Sequence, residues 1–157
     1  MRTLSLKKLL IITVCILSFT TIKAQNEFVF DVTASALFND KPTKDYSILI
    51  YADGALKDSL FMKKTKPLNL TLEGNKVYSI VFKKENCSTK VVIINTEIPK
   101  GIREIINDEP FDLQIEVSPE VAKLKKEYDD YPVAILMVNK KKKLLMASEN
   151  YYQLTHY

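Results

Sequence analysis

Histidine, cysteine and glycine are scarce in this chain, and each scarcity removes a class of chemistry. The 157 residues include one histidine, two cysteines and three glycines. The single histidine, His156, is the penultimate residue. Residues so near a terminus are usually poorly held, which makes a poor general base and argues against a Ser-His-Asp arrangement. Zinc needs three or four nitrogen or sulfur ligands in one cluster, and one histidine with one distant cysteine does not supply them. Gly54, Gly74 and Gly101 are scattered, so no glycine-rich loop exists to cradle a phosphate. These scarcities lead to an expectation of no catalytic residue, no cofactor and no metal.

The first 24 residues are distinctive. Arg2, Lys7 and Lys8 make a cationic start, Leu9 to Phe19 is an almost unbroken apolar run, and Thr20 to Ala24 is a polar exit. That order is the pattern of an export signal, with cleavage expected between Ala24 and Gln25. The apolar run has 11 residues, where a spanning helix needs about 20, so a retained anchor is disfavoured. A lipid-bearing Cys15 is disfavoured too, because Val14 precedes it and Ile16-Leu17 continue the apolar run. Four of the 23 basic residues lie in this leader and none of the 19 acidic ones, so residues 25–157 carry 19 of each. The basic balance belongs to the leader. The remainder has no electrostatic case for nucleic acid or an anionic membrane. Cys87 is then the one remaining cysteine, a free thiol with no intrachain partner.

Period-two alternation dominates residues 25–157, as expected of half-buried strands. Phe28, Phe30, Val32, Ala34 and Ala36 form one set, and Asn39-Asp40-Lys41-Pro42 ends it. Tyr46, Ile48 and Ile50 form the next, with Leu49 and Tyr51 opposite. Asp53-Gly54 predicts a tight hairpin turn, with Leu56 to Met62 returning. Leu68, Leu70 and Leu72 alternate, and Gly74-Asn75 turns the chain into Val77 to Phe82. Val91 to Ile94 is an unbroken β-branched run, which suggests a strand covered on both faces. Residues 97–110 predict a helical turn or a loop pinned by Ile98, Ile102, Ile105 and Ile106. Phe111 to Val117 alternates again, and Ser118-Pro119 resembles a helix start before Val121 to Tyr128. Val133 to Val138 and Leu144 to Met146 predict a hairpin about the turn 139–143. The expected fold is all-β, an antiparallel β-sandwich of about seven to nine short strands, following a cleaved signal helix and ending in a C-terminal hairpin extension. The expected domains are a signal peptide at 1–24, a sandwich at 25–118, and an extension at 119–157 packing on the sandwich.

Several residues invite a functional reading beside a bland one. Asp108-Glu109 and Asp129-Asp130 could serve calcium or hydrolysis, although charged loop residues are mostly solvated and no calcium-loop spacing is met. Lys140, Lys141, Lys142 and Lys143 could contact an anionic group, or simply form a solvated hairpin tip that guards an edge. Tyr128, Tyr131, Tyr151, Tyr152 and Tyr157 suit a carbohydrate-binding surface, or the packing of a tail on a sheet. An outer-membrane barrel would need strands of about 9–11 residues, longer than most runs here.

The order Tyr78 to Lys84, Lys90 to Thr96, Ile98-Pro99, Phe111-Asp112 and Pro132-Val133-Ala134 resembles exported Bacteroidota-type proteins. These carry a carboxypeptidase-regulatory-like, transthyretin-like β-sandwich after the leader. Ile48 to Leu72, with its Asp53-Gly54 turn, is similar to the hairpin of that domain. Such domains commonly begin with a glycine-rich first strand and turn, whereas Asp31 to Lys44 has no glycine. The resemblance implies a non-catalytic envelope module with no catalytic residues to carry over, periplasmic, outer-membrane-associated or secreted. Asp58-Ser59-Leu60 is similar to the short O-glycosylation site of that lineage, which would place a glycan on Ser59. The expected action is binding or structural interaction with an envelope protein or glycan, with no nucleic acid and no transmembrane segment once the signal is removed. The expected interaction edge is the late hairpin, at Val133, Ile135, Met137 and Lys140 to Lys143. A carbohydrate-binding module and a hydrolase using the loop carboxylates are the alternatives.

Overall fold

The computed structural model describes residues 28–102, 104, 109–119 and 131–148. Every regular element among them is a strand. In chain order these are β1 (Val29–Phe38), β2 (Lys41–Pro42), β3 (Tyr46–Ala52), β4 (Ala55–Met62), β5 (Leu68–Glu73), β6 (Val77–Lys84), β7 (Lys90–Asn95), β8 (Phe111–Glu116), β9 (Ala134–Asn139) and β10 (Leu144–Ala147). They form two sheets, as an all-β sandwich requires. The first is built around β1, which pairs with β5 and β8 on opposite sides and with the short β2 at its end. The second has six strands in the order β10-β9-β7-β6-β3-β4. The hairpin β9–β10 is thus part of this sheet, and it gives Ala134, Leu136, Val138 and Leu145 to the core.

Two pairings are parallel, β1 with β8 and β7 with β9. The rest are antiparallel. Alternation specifies which face of a strand is buried but not which strand lies beside it, so these parallel neighbours left no trace in the residue pattern. The turns, by contrast, follow local chemistry. Asp53 and Gly54 have φ of 50° and 81°, the two positive values of the turn that matches hairpin twist. Asn39 and Asp40, at 51° and 58°, connect β1 to β2 in the same way.

The core lies between the sheets. β1 contributes Phe30, Val32, Ala34 and Ala36; β5 and β8 add Leu72, Leu113 and Ile115. The other layer supplies Tyr46, Ile48, Ile50, Tyr78, Ile80, Phe82, Val92 and Ile94. Tyr46 and Phe82 stack with centroids 6.4 Å apart. Burial pushes the Tyr46 phenol above its ordinary pKa, partly offset by a hydrogen bond with the Ala36 backbone. Of the loop 97–110, Ile98 and Ile102 are pinned against the core. Ile105 and Ile106 lie outside the described residues, as do residues 121–128 with their expected helix.

The chain passes from the first sheet to the second at Glu73–Lys76, and this crossing is tightly bonded. The Thr96 hydroxyl accepts from the Lys76 N–H at 3.0 Å and donates to the Glu73 carbonyl at 2.8 Å. Backbone bonds join Thr96 N–H to the Lys76 carbonyl and Asn75 N–H to the Thr96 carbonyl, both 2.9 Å. The Tyr78 hydroxyl accepts from the Glu73 N–H at 3.0 Å. Gly74 is needed here for close approach, since a Cβ would lie 2.9 Å from Cβ of Phe28 and 3.0 Å from its carbonyl oxygen. On the surface of the crossing, Lys76 and Lys57 bond the Glu73 carboxylate. These bonds lower the Glu73 pKa, that from Lys76 most, and raise that of Lys76.

Thr96→Val keeps the shape but leaves the Lys76 N–H and the Glu73 carbonyl without the hydroxyl. It should cost about 1–3 kcal/mol in urea denaturation, and a loss within error of zero would contradict the clamp. Because Glu73 titrates lower when folded, its contribution is present above the ordinary carboxylate pKa and fades as pH falls through the lowered one. Glu73→Gln should therefore flatten the acid limb of the urea midpoint plotted against pH, most visibly at low salt.

Candidate functional site

The two sheets differ in what they show to the outside. On the first, the residues between the core positions are Asp31, Thr33 and Ser35 on β1, flanked by Val29 and Leu37 at its ends, Asn69, Thr71 and Glu73 on β5, and Asp112, Gln114 and Glu116 on β8. This is the ordinary polar outer face of a half-buried sheet. Thr71 donates to Asp31 across it at 2.8 Å.

The second sheet is apolar on its inner face and largely apolar on its outer one, where the row Phe61, Ser47, Lys83 at one end carries a charge. Its register lines up side chains far apart in sequence. One outward row runs Ser59, Leu49, Val81, Val91 across β4, β3, β6 and β7. The next runs Leu56, Tyr51, Ser79, Ile93, Ile135 and reaches β9. A third runs Val77, Asn95, Met137, Met146 and reaches β10. Leu56 and Phe61 on β4 are each 57% exposed, and Met137 is 43% exposed. The polar members of these three rows are Ser59, Ser79 and Asn95, none of them charged. Contiguous apolar surface of this extent on a folded chain marks a contact surface more often than a solvated one. Methionine at its β9–β10 end is adaptable, and Met137 and Met146 face each other there. They line a depression of about 280 Å³ together with Asn139, Lys140 and Ser148.

The residues singled out from sequence are dispersed. Val133, Ile135 and Met137 lie along β9 and the residue before it, one strand inside the margin that β10 forms. Ile135 and Met137 belong to the outer face. Lys140 to Lys143 form the hairpin tip, where the Asn139 carboxamide accepts from the Lys141 and Lys142 N–H groups at 3.0 Å each. The Lys143 ammonium pairs with Glu104 at 3.1 Å. Ser59 is exposed on β4, its N–H bonded to the Asp58 carboxylate at 2.7 Å. Cys87 is a free, half-buried thiol bridged through its backbone to Pro119.

Of the carboxylates considered for hydrolysis or calcium, Glu109 is exposed, and Asp108, Asp129 and Asp130 lie outside the described residues. Tyr131 is exposed, whereas Tyr128, Tyr151, Tyr152, Tyr157 and His156 also lie outside them, as do Ala24 and Gln25. Among the described residues, no three His, Cys, Asp or Glu side chains gather as a metal site, and no helix is long and apolar enough to cross a membrane. A second opening, about 360 Å³, lies between β8 and β9 and is lined by Phe111, Leu113, Ile115, Val133 and Leu136 among others.

The outer face was the part that sequence reasoning missed. Its signal was present in the doubled apolar pattern of Val91 to Ile94 and in Leu49 and Tyr51, but only the register joins these into one surface. Neighbouring residues on β7 separate the two faces. Ile94 is fully buried, so Ile94→Ala should cost about 2–5 kcal/mol, while Ile93→Ala, measured at high dilution, should cost less than half as much. Equal losses in denaturation would contradict the outward placement of Ile93. No family model, curated protein or solved structure matches this chain.

Proposed function

We propose that this chain is an exported, non-catalytic module of the bacterial envelope that acts by binding, through the outer face of its six-stranded sheet. The observation that carries the reading is the contrast between the two outer faces, one largely polar and one largely apolar. An apolar surface that stays wet costs about 25 cal/mol for each Å² left uncovered, so a partner that covers it gains that free energy. The leader-like pattern of residues 1–24 supports export, and the resemblance to carboxypeptidase-regulatory-like sandwiches supports an envelope role. The apolar chemistry of the face favours a protein partner over a glycan.

Site-specific photo-crosslinking in intact cells tests the face directly. A photoreactive residue in place of Met137 should yield covalent adducts, and one in place of Thr33 on the polar sheet should yield few or none. Equal yields from the two positions, or none from position 137, would overturn the assignment.

A further inference from the structure

We infer that the partner covering the outer face of the six-stranded sheet is a second copy of this chain, docked face to face; this rests on the proposed binding function. Three observations point to it. The first is size. Six strands about 4.8 Å apart, each six residues or so at about 3.3 Å, give a footprint near 600 Å² per copy, so two copies cover about 1,200 Å², the lower bound of specific interfaces.

The second is charge. Residues 25–157 carry 19 charges of each sign, and the three outward rows contain none. Lys83, one row beyond Val81, and Asp53, beside Val77, put one charge of each sign at the two ends of the face, so the apolar rows of two identical copies meet without net repulsion. A face that met a strongly charged partner would be expected to carry complementary charge.

The third is the arrangement of large and small side chains. The order β10-β9-β7-β6-β3-β4 places three strands on each side of the β7–β6 boundary. A two-fold axis lying in the interface along that boundary sets β6 of one copy over β7 of the other. Ser79 then sits over Ile93, because the two are direct register partners. Val81 sits over Val91 for the same reason. One row further out, Tyr51 on β3 faces Ile135 on β9. Leu56 faces Ser148, whose N–H bonds to the Ile135 carbonyl at 2.8 Å. Ser79 against Ile93 and Ser148 against Leu56 set small against large, and Val81 against Val91 sets like against like, the complementarity that an isologous contact needs. Aligned sheets packed about 10 Å apart give a four-layer assembly whose middle is as dry as the two cores.

Sedimentation of the purified full chain over a concentration series tests this. The expected result is a species of twice the chain mass that dissociates on dilution. Ile93→Lys places a charge at the centre of the contact and should weaken association by at least about 100-fold. Met137→Lys, at a position already exposed, should weaken it without a folding cost, and circular dichroism should show both variants folded. Thr33→Lys on the polar sheet should leave association unchanged. A wild-type chain that stays monomeric at every concentration would overturn the inference, as would a dimer that survives both outer-face lysines. Adducts at position 137 that contain a different protein, together with a monomeric purified chain, would remove the second copy while leaving the binding face intact. Absence of adducts at that position would remove both.

Discussion

The crossing from the first sheet to the second at Glu73–Lys76 is the constraint on which the rest of this molecule depends. Two sheets can enclose a core only if the chain changes layer, and at each change backbone groups leave one ladder before entering another. Buried and unpaired, each such group would cost free energy comparable to a lost hydrogen bond. Here the Thr96 hydroxyl and backbone, at the end of β7, take up those groups. The same contacts fix where β6 begins relative to β7, and therefore set the register of the central strand pair. Every outward row of the six-stranded sheet inherits its alignment from that pair.

The alternation of core residues explains most of one sheet and only part of the other. On the first sheet, apolar side chains face inward and polar ones outward except for Val29 and Leu37 at the ends of β1, and sandwich packing accounts for the pattern. On the second, burial against β1, β5 and β8 accounts for Ile48, Ile80, Val92 and Leu136 but leaves Leu49, Val81, Ile93 and Ile135 without a purpose inside the sandwich. A half-buried strand tolerates polar residues at such positions, as β1 and β5 do. Apolar residues recurring at these positions on β3, β6, β7, β9 and β10 are a property of the whole face, and binding gives that property a use.

Much of this was legible in the residues. The strands were readable because period-two alternation is local, and the Asp53-Gly54 turn because positive φ selects few residue types. The two-face character of β7 was readable in Val91 to Ile94. The parallel neighbours were not, since Ala134 to Asn139 reads the same beside β7 as beside any other strand. Nor was Thr96, a threonine at the end of a strand like many others and whose role rests on Glu73 and Lys76, about twenty positions earlier. The outer face itself is assembled by register from Leu49, Val81, Val91 and Ile135, residues no window along the chain contains together. Of the carboxylates and late tyrosines weighed for chemistry, Glu109 and Tyr131 are placed, both exposed.

The parallel pairing of β1 with β8 carries a consequence for the order in which the molecule comes together. Val32 meets Phe111, and Leu37 meets Glu116. A chain that emerges from its N-terminus presents β1 first, yet β1 cannot acquire its second neighbour until Phe111 to Glu116 have emerged. Meanwhile β3, β4, β6 and β7 can zip as antiparallel neighbours, with β3 and β4 joined by a tight turn. The six-stranded sheet therefore has the shorter path to formation, and the four-stranded one is a lid closed late by a distant strand. The loop that must be closed spans most of the sandwich, and such long-range closure slows folding. Throughout that interval the edge of β1 from Val32 to Leu37 waits with its backbone groups unpaired on one flank. In the finished molecule that strand is the best protected of its sheet; during assembly it is the most vulnerable.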